Sequence, residues 1–165
     1  SPFFSSPGNM ALRLIEAGAD GLVLFNRFVQ PEVDVEALAV KPSVALSSRF
    51  EGRVPRTWIA SLARHTNASL AATTGVEEAS DVVRYLLAGA DVVMSTSALV
   101  RHGAGYTHSL LAGLHDWMTR HDYESVDQFR GLLAVPADVD ADALQRAGYV
   151  AALENARKVY GAIHR

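Results

Sequence analysis

Short, unbroken apolar runs alternate along this chain with stretches whose apolar residues recur every three or four positions. The runs at 21–25 (GLVLF), 68–73 (ASLAAT) and 91–95 (DVVMS) are bounded by turn residues. That pattern predicts strands buried on both faces, as in a parallel sheet. Helical spacing predicts a helix over 10–17, with Met10, Leu14 and Ala17 on one side. It predicts another over 56–64, carrying Trp58, Ile59 and Leu62, and a third over 77–87, with acidic residues in its first turn where the helix dipole favours them. Further helical turns are expected over 97–101 and 107–120. From 122 on the chain reads as a helical C-terminal extension with a polar break near 136–142. The expected division is into 1–133 and 134–165.

Between the first strand and the second helix lies a polar, proline-broken stretch, 26–54, too long for an ordinary strand-to-helix connection. It reads as a functional loop with little regular structure, holding short extended pieces at 33–38 and 43–46. One echo organises the rest. Ala17-Gly18-Ala19-Asp20 runs into Leu22-Val23-Leu24, and Ala88-Gly89-Ala90-Asp91 runs into Val92-Val93-Met94, 71 residues apart. A repeated helix, glycine stop and strand at about two βα units predicts an α/β fold, either a (β/α)8 barrel or a doubly wound sheet. Three strands are too few for a closed barrel of roughly 200–250 residues, so the chain reads as the second part of one. Its opening, Ser1-Pro2-Phe3-Phe4, carries no methionine and reads as the end of a strand. The expectation is a piece of a longer protein.

Composition narrows the function. The 165 residues include 15 basic and 18 acidic ones, a formal charge of −3, which argues against a nucleic-acid partner. There is no cysteine, so disulfides, thiolate metal sites and a cysteine nucleophile are excluded from this segment. No apolar run approaches the roughly 20 residues of a membrane helix, and no signal peptide is visible. A cytoplasmic location and no membrane partner are expected. Four histidines, His102, His108, His115 and His121, fall in or near the last helices without a completing carboxylate, and no metal is expected. Trp58, Trp117 and Phe129 read as core.

Chemistry is expected where strands end. The last two strands end in Thr73-Thr74-Gly75 and Ser95-Thr96-Ser97, each followed by a helical pattern. Small hydroxyl residues and a glycine let backbone N–H groups approach an anion, and a helix N-terminus adds partial positive charge. Thr74, Gly75, Thr96 and Ser97 are therefore candidate phosphate ligands, with helix capping as the ordinary alternative. Asn26 ends the first strand. Its amide can donate and accept in one plane, which suits a planar substrate, although strand termination alone explains it equally well. Arg27 beside it is either a carboxylate partner or a solvated charge.

The residues from Pro55 to Leu133 resemble the C-terminal part of the dihydroorotate dehydrogenase family of flavin barrels. The resemblance rests on Ala71-Ala72-Thr73-Thr74-Gly75-Val76, Leu87-Ala88-Gly89-Ala90-Asp91, Ser95-Thr96-Ser97-Ala98-Leu99, Gly103, and the segment from Asp122 to Gly131. Ser1 to Phe4 resembles the residues after the family's fifth strand, and Leu24-Phe25-Asn26 the end of its sixth. The resemblance implies FMN, its phosphate held at Thr74-Gly75 and Thr96-Ser97, and a pyrimidine-like substrate at Asn26. It implies an oxidoreductase acting on dihydroorotate or a related dihydropyrimidine in pyrimidine biosynthesis, completed by the missing N-terminal half of the barrel, with a homodimer as one option. The family's catalytic base and flavin-contacting lysine would precede Ser1. Three departures mark a divergent branch. Thr74-Gly75 stands for the family's Gly-Gly, Thr96-Ser97 for its Gly-Thr, and Ser47-Ser48-Arg49-Phe50-Glu51-Gly52 for its glycine-rich loop. Two further readings stand beside this one: a flavin-free phosphate-binding isomerase or aldolase barrel, and a non-catalytic barrel fragment.

Overall fold

A computed structural model describes residues 1–27, 31–43, 45–139 and 141–160. The chain divides into two compact units, Ser1–Ala134 and Val135–Arg165. In the second, the described residues form one long helix, Ala141–Tyr160, after a short irregular stretch; 161–165 of the expected extension lie outside the described residues.

The first unit is built from helix, stop and parallel strand, repeated. Helix α1 (Pro7–Glu16) is followed by strand β1 (Gly21–Leu24), and helix α2 (Arg53–Leu62) by strand β4 (Ser69–Ala72). Between β1 and α2 sit a two-stranded ribbon, β2 (Glu32–Asp34) and β3 (Ala39–Lys41), and a 3₁₀ turn, Arg49–Gly52. Helix α3 (Ala79–Ala88) leads to strand β5 (Val92–Val93), then come α4 (Ser97–His102) and α5 (Tyr106–Arg120). The three strands β1, β4 and β5 form one parallel sheet in the order β1-β4-β5. This is the α/β architecture of part of a (β/α)8 barrel.

The Ala-Gly-Ala-Asp echo is one structural device used twice. Gly18 has φ +105° and Gly89 φ +109°. Each N–H bonds the carbonyl three residues back, Ile15 at 2.9 Å and Leu86 at 2.9 Å. The following alanine bonds five residues back, Ala19 to Leu14 at 3.1 Å and Ala90 to Tyr85 at 3.0 Å. This Schellman closure satisfies the last helical carbonyls and requires the left-handed conformation that only glycine adopts at little cost. A Cβ at Gly89 would also sit 2.4 Å from Ala63 Cβ, so the stop packs α3 against α2.

Register fixes what each face carries. Leu24, Ala72 and Val93 are partners across the sheet, as are Val23, Ala71 and Val92. Leu24, Leu70 and Ala72 join Ala11, Ile59, Leu62, Tyr85 and Ala88 in the core under α1, α2 and α3. The opposite face is open: Val23 is 57% exposed, Val92 53% and Met94 45%. The apolar runs predict strands buried on both sides, and the helices cover only one. Three strands do not close, so the face that points inward in a closed barrel has nothing opposite it among the described residues.

Two other expectations are corrected. The loop at 26–54 holds regular structure, an antiparallel ribbon pairing Val33 with Val40 around the turn at 35–38. Asp34 nucleates that turn by accepting the N–H groups of Glu36 and Ala37 at 3.0 and 2.9 Å. The piece expected at 43–46 forms no ladder among the described residues; Phe28 to Gln30 and Val44 lie outside them. The segment 122–134 is not helical beyond a 3₁₀ turn at Val126–Gln128. It is tied down by fully buried Phe129 and by bonds from Gly131 N–H to Leu86 O and Leu133 N–H to Leu87 O. Phe129 packs edge-on against partly buried Trp117, and Trp58 lies against the core, as the aromatic pattern predicts. The four named histidines are exposed.

Candidate functional site

Parallel register brings the C-terminal ends of β1, β4 and β5 to one edge, and the loops leaving them are cross-tied there. The loop after β1 contributes 45–52, the loop after β4 contributes 73–78, and the end of β5 contributes 94–97. Ser95 Oγ donates to Val76 O at 3.0 Å, and Thr74 Oγ1 donates to Phe25 O at 3.3 Å. The Tyr85 hydroxyl lies 2.6 Å from Thr74 O, 3.1 Å from Thr73 O and 3.3 Å from Gly52 O. Burial pushes the Tyr85 phenol far above its ordinary range, so it remains a hydroxyl donor to this carbonyl cluster.

Ser47 sits at the centre. It is buried, and three bonds converge on it. Gly75 N–H donates to Ser47 Oγ at 3.2 Å; Ser47 Oγ donates to Ser97 Oγ at 2.9 Å; Ser47 N–H donates to Ser97 Oγ at 2.9 Å. Arg101 Nη2 donates to Ser47 O at 3.0 Å, while its Nη1 pairs with Glu77. Of the candidate phosphate ligands, Gly75 and Ser97 meet through Ser47. Thr74 lies beside Gly75 with its hydroxyl turned to β1. Thr96 is exposed, and its carbonyl accepts the N–H of Val100 at 2.9 Å. Asn26 is exposed at the end of β1, next to the Phe25 carbonyl that Thr74 holds.

The helix-start expectation holds at Thr96-Ser97, where the six-residue α4 begins at Ser97 with Thr96 at its N-cap, and is corrected at Gly75, where α3 begins four residues on, at Ala79. The geometry at Gly75 is instead that of a tight turn. Thr74 has φ +81° and Gly75 φ +72°. A Cβ on Gly75 would lie 2.7 Å from Gly52 N and 2.8 Å from Ser48 O, so the loop after β1 packs directly on this glycine.

That loop is firmly anchored. Asp81, 1% exposed, accepts Arg49 Nε at 2.9 Å and Arg84 Nη1 at 2.7 Å, and the N–H groups of Glu77 and Glu78 at 3.2 and 3.1 Å. Glu51 accepts the Ser48 N–H at 2.6 Å and hydroxyl at 3.0 Å, and pairs with Arg27 at 2.8 Å. Burial raises the Glu51 pKa, but the Ser48 donors and Arg27 outweigh burial and hold it below the ordinary 4.5.

The donors outnumber the acceptors at the centre. Gly75 N–H, Ser47 N–H and two hydroxyls offer four hydrogens, and three bonds use three of them. One hydroxyl hydrogen has no acceptor among the described residues. Behind the loop, Arg56 Nη1 is buried without a hydrogen-bond partner among the described residues. It lies 3.0 Å from where a Gly52 Cβ would be, and the guanidinium sits 5.5 Å from the Tyr85 ring centroid. Burial lowers the Arg56 pKa, yet it stays a cation at neutral pH. A surplus hydroxyl donor at this centre is chemistry that fits an anionic oxygen. Among the described residues no group of acidic or histidine side chains could hold a metal ion, and no helix is long and apolar enough to cross a membrane.

Comparison with known proteins agrees with this architecture. No protein-family model matches the chain. Over 63 residues, 38% of this chain and 15% of the relative, it is 33% identical to the chloroplastic dihydropyrimidine dehydrogenase (NADP(+)) of Arabidopsis thaliana. Two crystal structures of dihydroorotate dehydrogenase from Eimeria tenella, one ligand-free and one in complex with ferulenol, superpose with TM-scores of 0.66 at 21% identity. Each covers 82% of this chain, which spans 39% and 37% of theirs. The chain therefore has the fold of a portion of a dihydroorotate dehydrogenase barrel, fitting its C-terminal part, and spans well under half of the proteins it matches.

Proposed function

We propose that this chain is the FMN-phosphate portion of a dihydroorotate dehydrogenase-like oxidoreductase, acting on dihydroorotate or a related dihydropyrimidine. The observation that carries the reading is the convergence of three strand-end loops on the Gly75–Ser47–Ser97 centre, with a surplus hydroxyl donor there. The fold likeness to dihydroorotate dehydrogenase and the match to a dihydropyrimidine dehydrogenase both favour a reduced pyrimidine as substrate class. Thr74, Gly75, Thr96 and Ser97 would hold the phosphate end of FMN. Asn26, exposed on the same edge, would orient the adjacent C=O and N–H groups of the ring. FMN, when bound, supplies the acceptor for a hydride from the saturated C–C bond. The remaining strands would cover the open face bearing Val23, Val92 and Met94, and a cytoplasmic location goes with this reading.

The test is anaerobic reduction in the full-length protein. Dihydroorotate or dihydrouracil is expected to bleach the bound flavin, and Asn26→Ala to slow bleaching while leaving flavin content unchanged. If bound substrate covers the Asn26 amide, as this role requires, its loss corresponds to roughly 1–3 kcal/mol, or about 5- to 150-fold. Flavin that neither dihydropyrimidine bleaches rejects the substrate class. Flavin lost on Asn26→Ala with unaltered kinetics rejects the role of Asn26.

A further inference from the structure

The centre at Ser47 has a direction. Gly75 N–H is spent on Ser47 Oγ, and Ser97 Oγ receives both the amide and the hydroxyl of Ser47. The two hydroxyls share one bond and one of their hydrogens is left over; on buried Ser47 it would face no acceptor, so it falls to Ser97. Ser47 is 6% exposed, whereas Ser97 is only partly buried, so the free hydrogen is carried by the outer residue of the pair. Hydrogen bonds in such a chain polarise one another, which makes the terminal O–H a stronger donor than an isolated serine. The position of Ser47 is fixed from both ends. Arg101 holds its carbonyl at 3.0 Å, and the next residues are held through Glu51 and through Arg49 on Asp81. Space agrees with this direction. The Cβ side of Gly75 is filled by the loop after β1, with the Ser48 carbonyl oxygen 2.8 Å and Gly52 Cα 3.0 Å from where a Cβ would stand, which leaves no room for an anion oxygen there.

We infer that Ser47 is a positioning residue for an anionic ligand, orienting Ser97 so that its hydroxyl donates to a phosphate-type oxygen, while Gly75 N–H acts on the anion only through this relay. The inference rests on the proposed phosphate site and deepens it. It moves the direct contact from the glycine to Ser97 and gives Ser47, which stands in a loop where the resembling family has glycines, a specific role.

The experiment compares FMN with riboflavin, which lacks the phosphate, by flavin fluorescence titration of the full-length apoprotein. Ser47→Ala, Ser47→Gly, Ser97→Ala and the Ser47→Ala/Ser97→Ala double variant are measured beside the parent protein. The parent is expected to prefer FMN. Each single variant is expected to lose roughly tenfold or more in FMN affinity, in line with a hydrogen bond to a charged group, and nothing for riboflavin. The double variant is expected to lose no more than the larger single loss, because the two hydroxyls act as one unit. Unchanged or tighter FMN binding by Ser47→Ala or Ser47→Gly, with the parent still preferring FMN, overturns the relay alone and marks the Ser47 hydroxyl as an obstruction. Equal losses for FMN and riboflavin overturn it as well, by showing a structural role. A parent that binds both flavins equally, or neither, overturns the phosphate site and the relay together.

Discussion

Thr74 concentrates the tension in this site. A β-branched residue at φ +81° stands where backbone sterics favour glycine, at a cost of about 1–3 kcal/mol. Two bonds hold it there, from the Tyr85 hydroxyl to its carbonyl and from its own hydroxyl to Phe25 O. Thr74→Gly removes the steric cost and one hydroxyl bond, and is expected to leave stability unchanged or raised by up to about 1 kcal/mol. Thr74→Ala keeps the unfavourable backbone and loses the bond, and is expected to be about 1 kcal/mol less stable. Denaturant titration of the full-length protein checks the pair, and Thr74→Ala at least as stable as Thr74→Gly would refute the strain argument. The same geometry limits what Gly75 can report. A side chain there strikes the Gly52 and Ser48 backbone, so Gly75→Val disrupts the turn whether or not an anion is bound. At this scale the sequence was informative about residue type and silent about pairing. Thr74, Gly75 and Ser97 were legible as small strand-end residues. That Ser47 sits between Gly75 and Ser97 follows from a contact 50 residues apart in sequence, which no local pattern carries. Arg56 was hidden for the same reason, since nothing nearby in sequence marks a guanidinium whose Nη1 is buried without a bonded acceptor among the described residues.

Among the elements, the loop after β1 is the one on which the site depends. Its Ser48 amide and hydroxyl and Arg27 converge on Glu51, whose carboxyl is held below its ordinary 4.5. A depressed pKa in the folded state means that this contribution is fully present above pH 4.5 and is lost as pH falls through the lower, folded value. Amide exchange at Ser48 is therefore expected to accelerate as the pH is lowered below 4.5, beyond the intrinsic dependence. Glu51→Gln is expected to show the faster, pH-independent opening already at neutral pH. A parent and a variant with the same acid profile would remove Glu51 from the anchor. Element positions were legible in the sequence because short apolar runs and two glycine stops punctuate them, and β1, β4 and β5 fall within a residue or two of expectation. The ribbon of β2 and β3 was not, because its exposed valines alternate too briefly to stand out in a polar stretch. The segment 122–134 misled for another reason. Its helix-compatible residues are fixed in irregular form by Phe129 and by bonds to the end of α3.

Taken by itself, the unit Ser1–Ala134 shows one covered and one bare face of a parallel sheet. Helices α1, α2 and α3 account for the buried side, and the apolar character of Val23, Val92 and Met94 was readable in the sequence without their exposure. An apolar inward face, strand-end loops gathered at one edge and a TM-score of 0.66 against dihydroorotate dehydrogenase describe a barrel sector with its strand-end edge assembled. The proposed function stands or falls with FMN at this edge. The most direct measurement is the identity and amount of cofactor released by heat from the purified full-length protein, read by chromatography against FMN, FAD and riboflavin standards. One FMN per chain is the predicted result. Protein that carries no flavin and takes up none when FMN is supplied would contradict the account and leave a phosphate-binding barrel of another chemistry.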